Sequence, residues 1–299
     1  MNIKNVVSAI SEYLLSGKTK ERSERIILGV AIVSYILHLL VIVLVHQGVL
    51  QVDSKLVKNP IAAIYTPFSF ILVYEVYLLV YFLPKSITTY IGKQFEIITL
   101  IVIRRIFKDI ANLELNTNWF QNPNDLQFTY DVATSLILFL LIYLFYKNSV
   151  SDDHSEKKLP DHELKKVVRF VRLKKAIAVV LVPVLVALAF YSFFHWTTET
   201  IRDYRNGIIA FKNINNVFFD EFFTVLITVD VLLLLFSFFY SDEFHKIIRN
   251  SGFIISTILI KISFSVDGIV NNALILGAVL FSYFIMRIHN EYENNKNIG

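Results

Sequence analysis

The sequence predicts an all-α membrane protein of about eight transmembrane helices in two parallel four-helix repeats. Three observations predict it. The 299 residues are 55% hydrophobic with a mean hydropathy of +0.55, too apolar for an ordinary soluble domain. Several runs approach the ~20 apolar residues that a helix needs to cross a bilayer. Finally, two blocks of the chain read as copies of one another. "FSFILVYEVYLL" (Phe68–Leu79) followed by "IITLIVIR" (Ile97–Arg104) matches "FTVLITVDVLLL" (Phe223–Leu234) followed by "IISTILIK" (Ile254–Lys261).

The match places acid against acid, Glu75 with Asp230, and base against base, Arg104 with Lys261. Thr99 aligns with Ser256. A third stretch, Ala133–Lys147 with Ala273–Arg287, aligns Tyr143 with Tyr283 and Lys147 with Arg287. Scattered Ile and Leu identities are expected between any two membrane helices, so the ordered polar agreements carry the match. Four spans per unit is an even number, which gives both repeats one orientation and an axis along the membrane normal.

Spans are expected at 26–46, 61–83, 94–112, 129–147, 175–196, 217–240, 253–269 and 272–288. The chain then divides into a leader (1–25), a first repeat (26–147), a charged linker (148–174), a second repeat (175–288) and a tail (289–299). In the leader, Asn5–Leu15 has the spacing of a short amphipathic helix on the membrane surface. The leader also carries both charge signs and lacks a small-residue cleavage site, unlike a signal peptide. Spans three and seven are interrupted by Arg104, Arg105 and Lys261, and topology decides whether span three crosses. The leader contributes Lys4, Lys18, Lys20, Arg22 and Arg25, and the segment after span four is denser still in lysine and arginine. The positive-inside bias puts both on the cytoplasmic side, so span three crosses and both termini lie inside. "NTNWFQNPNDLQ" (Asn116–Gln127) then reads as an outer loop, with Trp119 for the interface. Pro160 marks a helix start near Asp161.

Net charge of +4 and basic residues flanking apolar runs argue against nucleic-acid binding. The absence of cysteine excludes disulfides and thiolate metal sites. Asp152, Asp153, His154, Asp161, His162 and Glu163 lack a diagnostic ligand spacing and read as a solvated loop, so no metal or cofactor is expected. No HExxH, GxSxG or Walker motif is present, and no enzymatic activity is expected. Richness in Ile, Phe, Lys and Asn suggests an AT-rich bacterial genome and a place in the cytoplasmic membrane.

The candidate site is the set of intramembrane charges. Counted at 1.5 Å per residue from the flanking polar residues, Glu75 and Arg104 both lie about 15 Å from the cytoplasmic edge, near mid-membrane. Asp230 and Lys261 repeat that depth. Exposing such a charge to lipid costs at least ~2.5–3.5 kcal/mol, so these groups should face the bundle interior or water. Two pairs are expected, Glu75 with Arg104 and Asp230 with Lys261. Arg105 has no basic counterpart, since Ile262 takes its place, and Glu96 faces Phe253 in the alignment. Glu96, His38, Tyr143 and Tyr283 are further candidates for a polar pathway, although His38 reads first as a hydrogen-bonded packing residue and only second as a proton relay. Pro67 and Pro183 should kink spans two and five. Span four, "YDVATSLILFLLIYLFY", has no arginine ladder, which separates the unit from a voltage-sensor domain.

Two functions follow from this pattern. In the first, the protein is a channel or transporter for an ion or proton. In the second it is a non-conducting scaffold or subunit, with structural ion pairs and a basic linker that contacts a cytoplasmic partner or anionic lipid. Homo-oligomerisation is compatible with either.

Overall fold

The computed structural model describes residues 12–50, 60–110, 113, 122–153, 161–205, 214–239 and 243–296. Among them the chain is all-helical and has no strand. The helices are α1 (Gly17–His46), α2 (Tyr65–Phe82, after a 3-10 turn at Pro60–Ile64), α3 (Ile87–Ile110) and α4 (Pro123–Asp153). They continue with α5 (Asp161–Arg205), α6 (Ile214–Phe238), α7 (Phe244–Ser263) and α8 (Gly268–Lys296). The surface helix expected at Asn5–Leu15 and the loop around Trp119 fall largely outside the described residues.

Local chemistry sets the boundaries. The Ser16 hydroxyl caps α1 by accepting from the Thr19 amide at 3.1 Å. Helix α5 begins at Asp161, directly after Pro160, and runs through Pro183 to Arg205. Gly268 adopts φ +69°, a left-handed backbone that lets α8 start within a few residues of the end of α7.

Four helices are long and apolar enough to cross a membrane: Gly17–His46, Pro123–Ser149, Glu221–Phe238 and Gly268–Asn295. They correspond to the first, fourth, sixth and eighth expected spans. Their surfaces are inside-out relative to a soluble bundle. On α1, Ile32, Val33, Ile36, Leu37, Leu40 and Val43 are exposed, while only Ala31 and Ile42 are buried. Helix α4 turns Leu136, Ile137, Phe139 and Leu140 outward. Apolar side chains in such numbers on the outside need a hydrocarbon solvent. The protein is a helical membrane protein.

Helices α3 and α7 have a different environment. Helix α3 buries Ile91, Gln94, Phe95, Ile98, Val102 and Arg104, and α7 buries Phe253, Ser256, Thr257, Ile260 and Ser263. The most extensive packing joins α7 to α8, α4 to α8, α3 to α4 and α1 to α2. Smaller contacts link α2 to α3, α5 to α6 and α6 to α7, and lighter ones α3 to α7 and α2 to α5. Phe145 sits edge-on to both Phe95 and Phe253, so α3, α4 and α7 meet around one ring.

Two glycines set close approaches. A Cβ at Gly92 would lie 2.7 Å from the Tyr146 hydroxyl and 2.8 Å from its ring, and one at Gly252 would lie 2.9 Å from Ile285 Cγ1. The Tyr146 ring cannot swing aside freely, because its hydroxyl donates to Glu96 at 2.6 Å. Gly92→Ala is therefore expected to destabilise the fold by ~1–3 kcal/mol, the usual range for overpacking. Thermal unfolding of the detergent-solubilised protein reads this directly, with exposed Gly29→Ala as the clash-free control, since nothing lies within 4 Å of its Cβ position and the change should leave stability equal or slightly raised.

Candidate functional site

One end of the bundle gathers a set of polar side chains from four helices and the turn between α2 and α3. There the last turn of α2 and the first turns of α3 and α7 meet the lower part of α5 and the last turns of α6. Together they enclose a cavity of about 270 Å³. Its polar lining comprises Ser86, Tyr90, Lys174, Asp230, Ser237, Arg249 and Asn250, set among leucine, isoleucine and phenylalanine side chains.

Asp230 is the buried acid of this cavity, 4% exposed. The Gln94 side-chain amide donates to Asp230 Oδ2 at 3.2 Å, and Thr257 Oγ1 donates to Gln94 Oε1 at 2.8 Å. Gln94 is fully buried and so ties α3, α6 and α7 through a single side chain. The Tyr90 hydroxyl, on a residue 3% exposed, faces Asp230 and Gln94 without a hydrogen bond of good geometry among the described residues. Lys174, 8% exposed, donates to the Lys85 carbonyl at 3.0 Å. Lys174 precedes the expected fifth span. Burial lowers its ammonium from 10.5 to about 8, against the opposing attraction of Asp230. Arg249 reaches Asn250 Oδ1 through Nε at 3.4 Å and meets His289 Nε2 through Nη1 at 2.8 Å. His289 stacks on His245, with ring centroids 5.1 Å apart, and His245 Nε2 approaches Glu243 and Glu293 at 3.3 and 3.4 Å.

A second polar cluster lies toward the opposite end, and it is closed. Arg105 grips Asp131 with two parallel bonds, Nε to Oδ2 at 2.9 Å and Nη2 to Oδ1 at 3.0 Å. Asn272 and Gln127 add donors to Asp131 Oδ1 at 2.7 and 2.8 Å. Arg105 also donates to the side-chain carbonyls of Asn271 and Asn272, and Asn271 donates to the Ser263 carbonyl. Asp131 is fully buried and both of its oxygens are engaged. This arrangement fastens α3, α4 and α8 together and leaves its acid no room to exchange partners.

The other expected site residues are distributed differently from the sequence reading. Asp230 faces Gln94, Tyr90 and Lys174 rather than Lys261. Glu75 is half-buried, and the charges acting on it are those of Glu96, Lys93 and Glu24, not that of Arg104. Similar depth on consecutive helices does not make two side chains point at each other, and here the helix rotations turn them apart. Glu96 is held by Lys93 Nζ at 2.6 Å and by Tyr146 at 2.6 Å. Arg104 is buried at 3% exposure, and Lys261 is half-buried. His38 bonds Thr66 on α2 through Nδ1, which fits a packing role. Tyr143 points outward at 58% exposure, whereas Tyr283 is half-buried against Phe284. The side chains of the Asp152–Glu163 linker cluster lie outside those described.

Sequence reasoning missed Tyr90, Gln94, Asp131, Asn271 and Asn272, and weighed Lys174 only as a topological charge. The Asn271–Asn272 pair opening an apolar run was the signal that pointed to the closed cluster. Comparison of the chain with family models, with curated proteins and with solved structures yields no match.

Proposed function

We propose that this protein is an eight-span membrane transporter or channel for an ion or proton, with the Asp230 cavity as its working site. The observation that carries the reading is a buried carboxylate on a polar cavity, held by the neutral Gln94 amide and faced by the Tyr90 hydroxyl rather than locked to a base. An acid placed this way keeps the freedom to bind and release a cation or a proton, and intramembrane acids of this kind mark substrate paths. The contrast with Asp131, saturated by Arg105 and two amides, supports it.

Spans at α3 and α7 are supported by length. At 1.5 Å per residue, the 20 residues of α7 and the 24 of α3 reach or exceed the roughly 30 Å hydrocarbon core. Two parallel repeats are supported by the packing pattern. Consecutive helices pack in the same series, α1 to α4 and α5 to α8, and the halves touch through the equivalent pairs α3–α7 and α4–α8 as well as through α2–α5, which has no counterpart of that extent between α1 and α6 among the described residues. In the repeat alignment Asp131 and Asn271 stand two residues before the matched Ala133 and Ala273, and Arg105 joins the two. With both termini in the cytoplasm, the cavity opens inward. A reporter fused after Gly299 or within Ser151–Glu156 is then expected to read cytoplasmic, and one near Asn118 external. An external 151–156 reporter overturns the eight-span topology.

The scaffold reading also has an observation in its favour, the closed Arg105–Asp131 cluster, which is what a purely architectural ion pair looks like. Flux from liposomes separates the two. Purified wild-type protein is expected to dissipate an imposed proton or ion gradient faster than empty liposomes; no flux of proton, alkali cation, halide or small organic ion sinks the transport reading.

A further inference from the structure

We propose that the linker end of helix α5 is a binding site for anionic phospholipid, with Arg169, Arg172 and Lys175 holding the headgroup phosphate. The contact expected of the basic linker is thereby narrowed to three residues and one partner. It is independent of whether the Asp230 cavity conducts.

Helix α5 is far longer than a bilayer is thick. Its 45 residues extend about 67 Å at 1.5 Å per residue, against a hydrocarbon core of roughly 30 Å. Lys174 fixes where the membrane ends along it. Lys174 shares the cavity with Ser237, in the last turn of α6, and its Nζ donates at 3.0 Å to the Lys85 carbonyl in the turn between α2 and α3. Both partners mark the end of an apolar helix, so residue 174 lies at the membrane edge. Arg169 is six residues before Lys175, about 9 Å along the axis, and Arg172 stands midway. The headgroup layer is ~5–8 Å deep on each side, so the three bases are at its level on a continuous helix.

The two sides of α5 differ. Lys174, Ala178, Leu181 and Leu185 form the buried side, whereas Arg169, Arg172 and Lys175 are exposed on the other. Farther along, that outward side carries Val180, Val186, Phe190 and Phe194, each at least 50% exposed. Such a stripe needs hydrocarbon against it. A phospholipid whose acyl chains lie along the stripe puts its headgroup on the three bases. A soluble partner would meet the bases alone, so the continuity of the two surfaces selects a lipid.

Charge selects the kind of lipid. From Leu164 through Thr198 the chain has no Asp or Glu, and among the described residues no acid holds any of the three bases. Lys93, Arg105 and Lys246, by contrast, are each paired with a carboxylate. Positive-inside placement puts bases at a membrane edge but does not require them to share the lipid-facing side of one helix.

Quenching of a tryptophan by brominated lipid tests this in the full-length protein. The reporter is Val180→Trp, on the lipid-facing side about 8 Å from Lys175, in a Trp119→Phe, Trp196→Phe background. Phosphatidylcholine vesicles carry a fixed fraction of either dibrominated phosphatidylglycerol or dibrominated phosphatidylcholine. The phosphatidylglycerol is expected to occupy the site at least about fivefold more strongly, the scale of one base at an anionic surface, and salt at about 0.5 M should reduce that preference. Arg169→Gln with Arg172→Gln and Lys175→Gln should bring the two lipids to equal quenching. These side chains are exposed, so the unfolding temperature should not change, which separates lost selectivity from lost fold. Arg287→Gln, at an exposed base on α8, should leave the preference intact. Equal quenching by the two lipids before any base is changed, as for bases that await a soluble acidic partner, overturns the proposal. A preference that survives the triple substitution, or that Arg287→Gln removes to the same extent, also overturns it, because net charge and not this site would then set the selectivity.

Discussion

Asp131→Leu is expected to cost about 3–5 kcal/mol, the largest stability loss of any single substitution considered for this protein. The mutation removes the acceptor of two Arg105 bonds and of the Asn272 and Gln127 amides, and the guanidinium keeps its place among α3, α4 and α8 with no carboxylate to balance it. The remaining carbonyl partners, Asn271 and Asn272, accept from Arg105 but carry no charge. Replacing both members, as Arg105→Met with Asp131→Leu, removes the stranded charge and should recover most of the loss. Thermal unfolding or steric trapping in bicelles reads both values. A double mutant as unstable as Asp131→Leu would mean that the cluster contributes packing and register through its amides rather than through the ion pair. Flux, by contrast, should survive in the double mutant, because nothing in this cluster opens on the cavity.

How far the chain could be read before folding depended on what surrounds each helix. Helices α1, α4, α6 and α8 were legible because lipid tolerates little besides apolar side chains over their length. Helices α3 and α7 were the weakest reading because protein covers them: with Gln94, Arg104, Ser256 and Thr257 buried against neighbours, their composition answers to partners rather than to lipid. That Asp230 is buried was readable from its depth. Its partners were not, since counting residues along a helix gives height and says nothing of rotation about the axis. Glu75 and Arg104 share a height and face different neighbours for that reason. Tyr90 and Gln94 escaped notice because an uncharged polar residue in the first turns of a span is ordinary; only the approach of α6 sets them against an acid. Lys174 shows the opposite error. As one of a dense set of basic residues it looked like a topological charge, yet α5 continues unbroken from Asp161 and carries it into the cavity wall.

Asp230→Asn should reduce flux to the level of empty liposomes while the fold remains within about 1 kcal/mol of wild type, the scale of a single net hydrogen bond. The substitution keeps the size of the side chain and keeps an acceptor for Gln94, so the Gln94–Thr257 connection between α3 and α7 is preserved. It removes the negative charge and the capacity to take up a proton or hold a cation. Lys174 then loses the attraction of that acid, and its ammonium should release its proton more readily than before. Loss of flux at an unchanged unfolding temperature is a combination that general misfolding cannot produce. Glu75→Gln is the matched control. Glu75 is also an acid within an apolar helix, but its charged neighbours are Glu96, Lys93 and Glu24, and it does not line the cavity. Its variant should conduct. If instead Glu75→Gln abolishes flux and Asp230→Asn does not, the path runs along α2 past Glu96 and Lys93, and the cavity beside α6 is not the route through the membrane.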